Sequence, residues 1–292
     1  MKNIFQRKRF YMLLCFLGFL MFAFKVVELR LDNASFIKKT SKNAFGYVMK
    51  AQHYTAKGQA MRYLEIGNDT LPMILLLHGS PSSSASWDDL MTDSFMLKNA
   101  YLVAVDRPGY GYSSFGDIVP SVIDQADMIA PILKEKRPFF KKILVVGSSY
   151  GGPVAVRLAQ KYPDLLDGIM LQSASVEPGA EKIYPITYPT SKAPLKWMIP
   201  TVFRNANTEK LAHKSALLEI DNDWKNITGS ATIFHGKQDS LIYFSNALYA
   251  QKKLINAKQV NLVAVEDGEH GMLWSKFDLV KKTMIEALKG LN

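Results

Sequence analysis

The stretch Ile143-Leu144-Val145-Val146-Gly147-Ser148-Ser149-Tyr150-Gly151-Gly152 constrains this chain more than any other. A short β-branched run feeds directly into Gly-x-Ser-x-Gly, and Pro153-Val154-Ala155-Val156-Arg157-Leu158-Ala159 then reads as a helix. A strand that turns sharply into a helix strains its central residue and projects that side chain from the carboxyl edge of a sheet. Side chains at the flanking positions would collide across the turn, which accounts for glycine at 147 and 151. The helix that follows aims its first amides at the same point. The pattern predicts Ser149 as an exposed nucleophile and turns Ser148 back into the protein.

The rest of the chain supplies a sheet to carry that turn. Alternating patterns at 46–51 and 61–66 suit antiparallel strands with one solvated face. Short apolar runs at 73–77, 101–105, 143–146, 168–171, 231–234 and 261–265 suit buried parallel strands. Helical stretches at 86–98, 120–135, 152–161, 243–255 and 276–290 separate most of them. This alternation predicts an α/β fold, a mostly parallel sheet with helices on both faces. Residues 176–229 break the rhythm, with no strand-like run, five prolines and the large apolar side chains Tyr184, Tyr188, Trp197, Met198, Ile199 and Phe203. That composition reads as an inserted helical lid, and the catalytic domain as residues 45–292.

A serine hydroxyl needs a base within hydrogen-bond reach, and the base needs an acid to orient it. The loops after the later strands offer both. Asp239 follows the run 231–234 within His235-Gly236-Lys237-Gln238-Asp239, and His270 follows 261–265 within Glu266-Asp267-Gly268-Glu269-His270-Gly271. Rival acids are Glu177, Asp267 and Glu269; His78 and His235 read as structural. An oxyanion hole needs two preorganised N–H donors. The Tyr150 amide is one; the other is the Ser80 amide, because Pro81 in His78-Gly79-Ser80-Pro81 has no N–H. The chemistry needs no cofactor, and no group of His, Cys, Asp and Glu has metal-ligand spacing. Trp87, Tyr150, Tyr184, Tyr188, Trp197 and Met198 are the candidate substrate contacts.

Together these residues resemble the α/β-hydrolase superfamily over about residues 45–290. His78-Gly79-Ser80-Pro81 is similar to the His-Gly-x-Pro loop of the branch with haloalkane dehalogenases and epoxide hydrolases. Asp106-Arg107-Pro108-Gly109-Tyr110-Gly111-Tyr112-Ser113 is similar to that family's Asp-x-x-Gly-x-Gly-x-Ser segment, where the Asp and Gly shape the loop. The order Ser149, Asp239, His270 matches the family order. Those two enzyme types use an aspartate nucleophile, whereas this turn presents Ser149. The resemblance therefore implies cleavage of an ester or related acyl compound through an acyl-enzyme. Two alternatives stand beside it. One is a peptidase similar to proline iminopeptidases, which would need lid acids such as Glu177, Glu181 and Glu209 to hold a substrate amine. The other is a non-catalytic binding protein built on the same fold.

The formal net charge of +10 points away from nucleic acid, because seven of those charges lie in residues 1–42 and the rest are scattered. Lys2, Arg7, Lys8 and Arg9 precede an uncharged run of 14 residues, Tyr11 to Phe24. This pattern predicts a signal-anchor or transmembrane segment over 1–27, a tether or leading helix over 28–44, and a catalytic domain on the non-cytoplasmic side. Cleavage to a secreted or periplasmic form is the alternative, although the run lacks a small-x-small cleavage pattern. Cys15 is the only cysteine, so the domain carries no disulfide.

Overall fold

The computed structural model of the protein describes residues 7–18 and 33–291. Its centre is an eight-stranded sheet in the order β1-β2-β4-β3-β5-β6-β7-β8. The strands are β1 (Lys50–Ala56), β2 (Gln59–Ile66), β3 (Met73–Leu77), β4 (Tyr101–Asp106), β5 (Ile143–Ser148), β6 (Gly168–Gln172), β7 (Ser230–Gly236) and β8 (Val260–Val265). β1, β2 and β4 pair antiparallel, and all pairs from β4 to β8 are parallel. Parallel neighbours need crossovers, and the helices Val122–Lys136 and Gly151–Lys161 supply those entering and leaving β5.

The two-residue period of a strand divides the core into two layers. Met73, Leu75 and Leu77 of β3 pack into one, with the helices Val122–Lys136 and Gly151–Lys161; Ile74 and Leu76 pack into the other, with the C-terminal helix Phe277–Lys289. All five residues are buried, which explains why the run is uniformly apolar rather than alternating.

Some boundaries differ from the sequence reading, each for a local reason. The first strand starts at Lys50 rather than 46, because the Asn43 side chain accepts from the Phe45 and Tyr47 amides and holds a turn there. The helix expected over 86–98 is divided at Asp93, whose carboxylate caps a new helix by accepting from the Met96 amide at 2.9 Å. Within the segment read as a tether or leading helix, Asn33–Thr40 is a helix, with Phe36 only 2% exposed. The interval 176–229 is helical and strand-free, built on the long helix Thr201–Ile220 that starts directly after Pro200. Among the described residues no helix is long and apolar enough to cross a membrane. Residues 7–18 are helical, and the remainder of the segment predicted over 1–27 lies outside the described residues.

Candidate active site

Backbone contacts leave room only for glycine around Ser149. A Cβ on Gly147 would lie 2.4 Å from the Gly151 carbonyl oxygen, and one on Gly151 would lie 2.3 Å from that of Leu77. Ser149 itself has φ +51°, in the left-handed region that costs an L-residue on the order of 1–2 kcal/mol. Its amide donates to the Gln172 carbonyl at 3.0 Å, and its carbonyl accepts from the Gly152 and Ser175 amides at 3.0 and 3.1 Å. These three bonds hold the strained turn. Gly151→Ala is expected to lower unfolding free energy by about 3 kcal/mol or more, because the contact is with backbone that cannot yield. A denaturant midpoint within error of the parent would contradict this packing.

Two later loops are fastened together at the same sheet edge. The Gln238 amide donates to the Gly268 carbonyl at 2.9 Å, and the Lys237 amide donates to Val265 at 2.9 Å. Asp239 and His270 are thereby brought side by side, with His270 Nδ1 donating to Asp239 Oδ2 at 2.8 Å. The other carboxylate oxygen accepts from the Leu241 and Ile242 amides at 2.9 and 2.8 Å. Burial pushes the Asp239 carboxyl up, but the His270 hydrogen bond and charge, with those two amides, outweigh it and hold it below the ordinary range. An ionised Asp239 fixes the proton on His270 Nδ1 and leaves Nε2 free to accept. The rival acids are engaged elsewhere: Asp267 pairs with Lys276, and Glu177 accepts from Ser245.

Ser149 and His270 both line one cavity of about 390 Å³ between the sheet edge and the lid. They are not hydrogen-bonded to each other in this structure, a spacing that ligand binding commonly tightens. Ser80 and Tyr150 line the same cavity, and neither backbone N–H has a partner among the described residues. Two residues with unpartnered amides thus line the same space as Ser149. A Cβ on Gly79 would stand 3.0 Å from the Ser149 Cβ, so glycine lets this loop approach the serine.

The other expected residues separate into three groups. Tyr150 and Tyr184 line the cavity. Tyr188, Trp197 and Met198 do not; they are 54%, 55% and 44% exposed on the outside of the lid. Their segments, Thr187–Thr190 and Leu195–Trp197, are single turns too short to bury a face. Trp87 is fully buried in the core layer below, away from the cavity, and packs the fold instead. His78 accepts from the Arg107 amide at 3.0 Å and His235 donates to the Ile242 carbonyl at 2.9 Å, which are structural roles. Asp106 is also structural, accepting from Arg62 and from the Ser84 and Tyr112 amides.

Nothing near His213 in the sequence marks a partner for it. In the structure it is buried against the Tyr150 ring, 4.7 Å between centroids, with Nε2 against the Ser175 carbonyl and hydroxyl. Burial pushes its pKa down to about 4. Such a histidine stays neutral when folded and protonates more easily when unfolded. Its contribution is complete above about pH 6.5 and is lost as pH falls toward 4, amounting to about 3 kcal/mol. His213→Gln is expected to reduce the stability difference between pH 7 and 4 by that amount, measured by urea unfolding. An unchanged pH slope would contradict it.

The Asp239–His270 pair and the cavity that Ser149 lines thus lie at the carboxyl edge of the parallel sheet. The chain belongs to the alpha/beta hydrolase family, whose model matches residues 74–280. It is 33% identical over 103 residues to the esterase Rv0045c of Mycobacterium tuberculosis, covering 34% of this chain and 32% of that protein. It is 28% identical over 112 residues to a haloalkane dehalogenase of Bradyrhizobium diazoefficiens, covering 38% of this chain and 35% of the relative. These matches thus span about a third of each relative's length. The crystal structure of a putative aryl esterase from Burkholderia cenocepacia superposes with a TM-score of 0.69 at 17% identity, covering 82% of this chain and 98% of that one. That likeness establishes the shared fold.

Proposed function

We propose that the protein is a serine hydrolase that cleaves a carboxylic ester or related acyl substrate through an acyl-enzyme on Ser149. His270 Nε2 takes the Ser149 proton as the hydroxyl attacks the acyl carbon, and the Ser80 and Tyr150 amides receive the oxyanion. The alcohol leaves with the proton from His270. Water, deprotonated by the same nitrogen, then attacks the acyl-enzyme and releases the acid. Asp239 holds the imidazole tautomer throughout. The observation that carries the reading is the Asp239–His270 bond of 2.8 Å at the edge of the cavity that Ser149 also lines. Support for an ester over a haloalkane comes from serine at the turn, since dehalogenation through an alkyl ester needs a carboxylate there.

One observation favours a peptidase: Glu181 lines the cavity, where a carboxylate could hold a substrate amine. Glu209 offers no such service, because it is fully buried and occupied by Arg107, Tyr110 and Gln125. We further propose that the N-terminal run tethers the catalytic domain to a membrane on its non-cytoplasmic side. Turnover of a p-nitrophenyl ester panel against proline p-nitroanilide decides the substrate class. Ester hydrolysis with negligible anilide hydrolysis supports the esterase reading, and the reverse preference replaces it with the peptidase.

A further inference from the structure

Arg107 follows β4 and is fully buried, yet it belongs to no part of the serine, histidine and aspartate cluster. Its Nε donates to the His78 carbonyl at 2.8 Å and its Nη2 to the Gly79 carbonyl at 3.2 Å. The Arg107 amide donates to His78 Nε2, which puts the imidazole proton on Nδ1; that N–H donates to the same Gly79 carbonyl at 2.7 Å. Two donors therefore hold the Gly79 oxygen on one side. The Gly79–Ser80 peptide is trans, so its N–H points opposite to its C=O. Fixing the Gly79 carbonyl against Arg107 sends the Ser80 N–H the other way, and a flipped peptide would remove that donor.

The lid completes the arrangement. Glu209 lies on the lid helix Thr201–Ile220, and its carboxylate accepts from Arg107 Nη1 at 2.6 Å, Gln125 at 3.0 Å and the Tyr110 hydroxyl at 2.7 Å. Because Tyr110 donates to Glu209, the Ser80 hydroxyl donates to Tyr110, at 2.8 Å. The chain Ser80 to Tyr110 to Glu209 thus has one direction and ends on a charge. One turn earlier on the same helix, Asn205 donates to the Gly109 carbonyl at 2.7 Å. The Arg107 guanidinium also lies over the Tyr110 and Tyr150 rings, 4.9 and 4.8 Å from their centres. It therefore touches both segments that carry the oxyanion donors.

We propose that Arg107 and its lid counter-ion Glu209, relayed through Tyr110, are positioning residues that set the Gly79–Ser80 peptide as an oxyanion donor, making the hole competent only while the lid helix is seated. The proposal rests on the serine-hydrolase reading above. A pair that only fastened the lid would have no need to bond the carbonyls of His78 and Gly79. Here the same guanidinium serves both, so lid attachment and donor orientation are one event.

Tyr110→Phe, Ser80→Ala, their double variant and Glu209→Gln, each in the full chain, test it on p-nitrophenyl butyrate and on a trifluoromethyl ketone that forms a reversible tetrahedral adduct. Tyr110→Phe and Glu209→Gln are expected to lower kcat about tenfold or more with KM within about twofold. Ketone affinity should weaken by the factor lost in kcat/KM. Ser80→Ala should match Tyr110→Phe, and the double variant should lose nothing further. Tyr110→Phe removes a single hydroxyl and decides the matter if Glu209→Gln does not fold. Unchanged kcat and ketone affinity in folded Tyr110→Phe, with an active parent, overturns the inference alone. A parent without ester turnover overturns the hydrolase reading and this inference with it.

Discussion

Ser149→Ala is expected to lower ester hydrolysis by on the order of a millionfold in kcat while the protein keeps its fold. Alanine fits the left-handed turn about as well as serine, and the bonds that pin residue 149 use its backbone only. The loss is therefore chemical, since the proposed mechanism uses the Ser149 hydroxyl as its nucleophile. Any remaining rate would come from the Ser80 and Tyr150 amides acting on water attack. Steady-state kinetics on a p-nitrophenyl ester, with circular dichroism as the folding control, measures it. Retention of even a tenth of the parent kcat would place the nucleophile elsewhere.

Asp239→Asn carries the second largest effect, a fall of about ten-thousandfold in kcat with the geometry preserved. The present carboxylate accepts from His270 Nδ1, and its other oxygen accepts from the Leu241 and Ile242 amides. An asparagine keeps the amide contacts with its carbonyl and presents its NH₂ to the imidazole. That donor reverses the tautomer, putting the proton on Nε2, where the base must accept. The hydroxyl of Ser149 then has no proton acceptor. The loss should shrink at high pH if hydroxide substitutes for the base. A kcat within about tenfold of the parent at neutral pH would show that Asp239 does not orient the base.

The parts of this candidate site that could be read from sequence are those written locally. Gly147, Ser149 and Gly151 sit within five residues, and their spacing follows from contacts of under 2.5 Å that any turn of this kind would impose. Asp239 and His270 were legible because each follows an apolar strand run, and β7 and β8 are neighbours in the sheet, although β8 is an edge strand with only Val265 buried. The buried group around Arg107 was not legible. Glu209 lies 102 residues away, on a lid helix whose acids were read only as possible amine ligands, and nothing local marks it as a counter-ion. His213 escaped for the same reason, since its partners Ser175 and Tyr150 come from the core rather than from its own helix.

The lid shows a different limit. Tyr184 reaches the cavity while Tyr188, Trp197 and Met198 face outward, although all four look alike in sequence. Periodicity tells inside from outside only over several turns, and those segments have one turn each. Trp87, named as a candidate substrate contact, ends the short helix Ser84–Trp87, which turns it into the core.

The central claim is that Ser149 is an activated nucleophile facing two oxyanion donors, and covalent labelling tests it most directly. The full chain and Ser149→Ala would be treated with a fluorophosphonate, digested and read by peptide mass spectrometry. One phosphonyl adduct is expected, on Ser149, formed by the parent and missing from the variant. A folded parent that takes up no label, or carries it on another residue, would contradict the account.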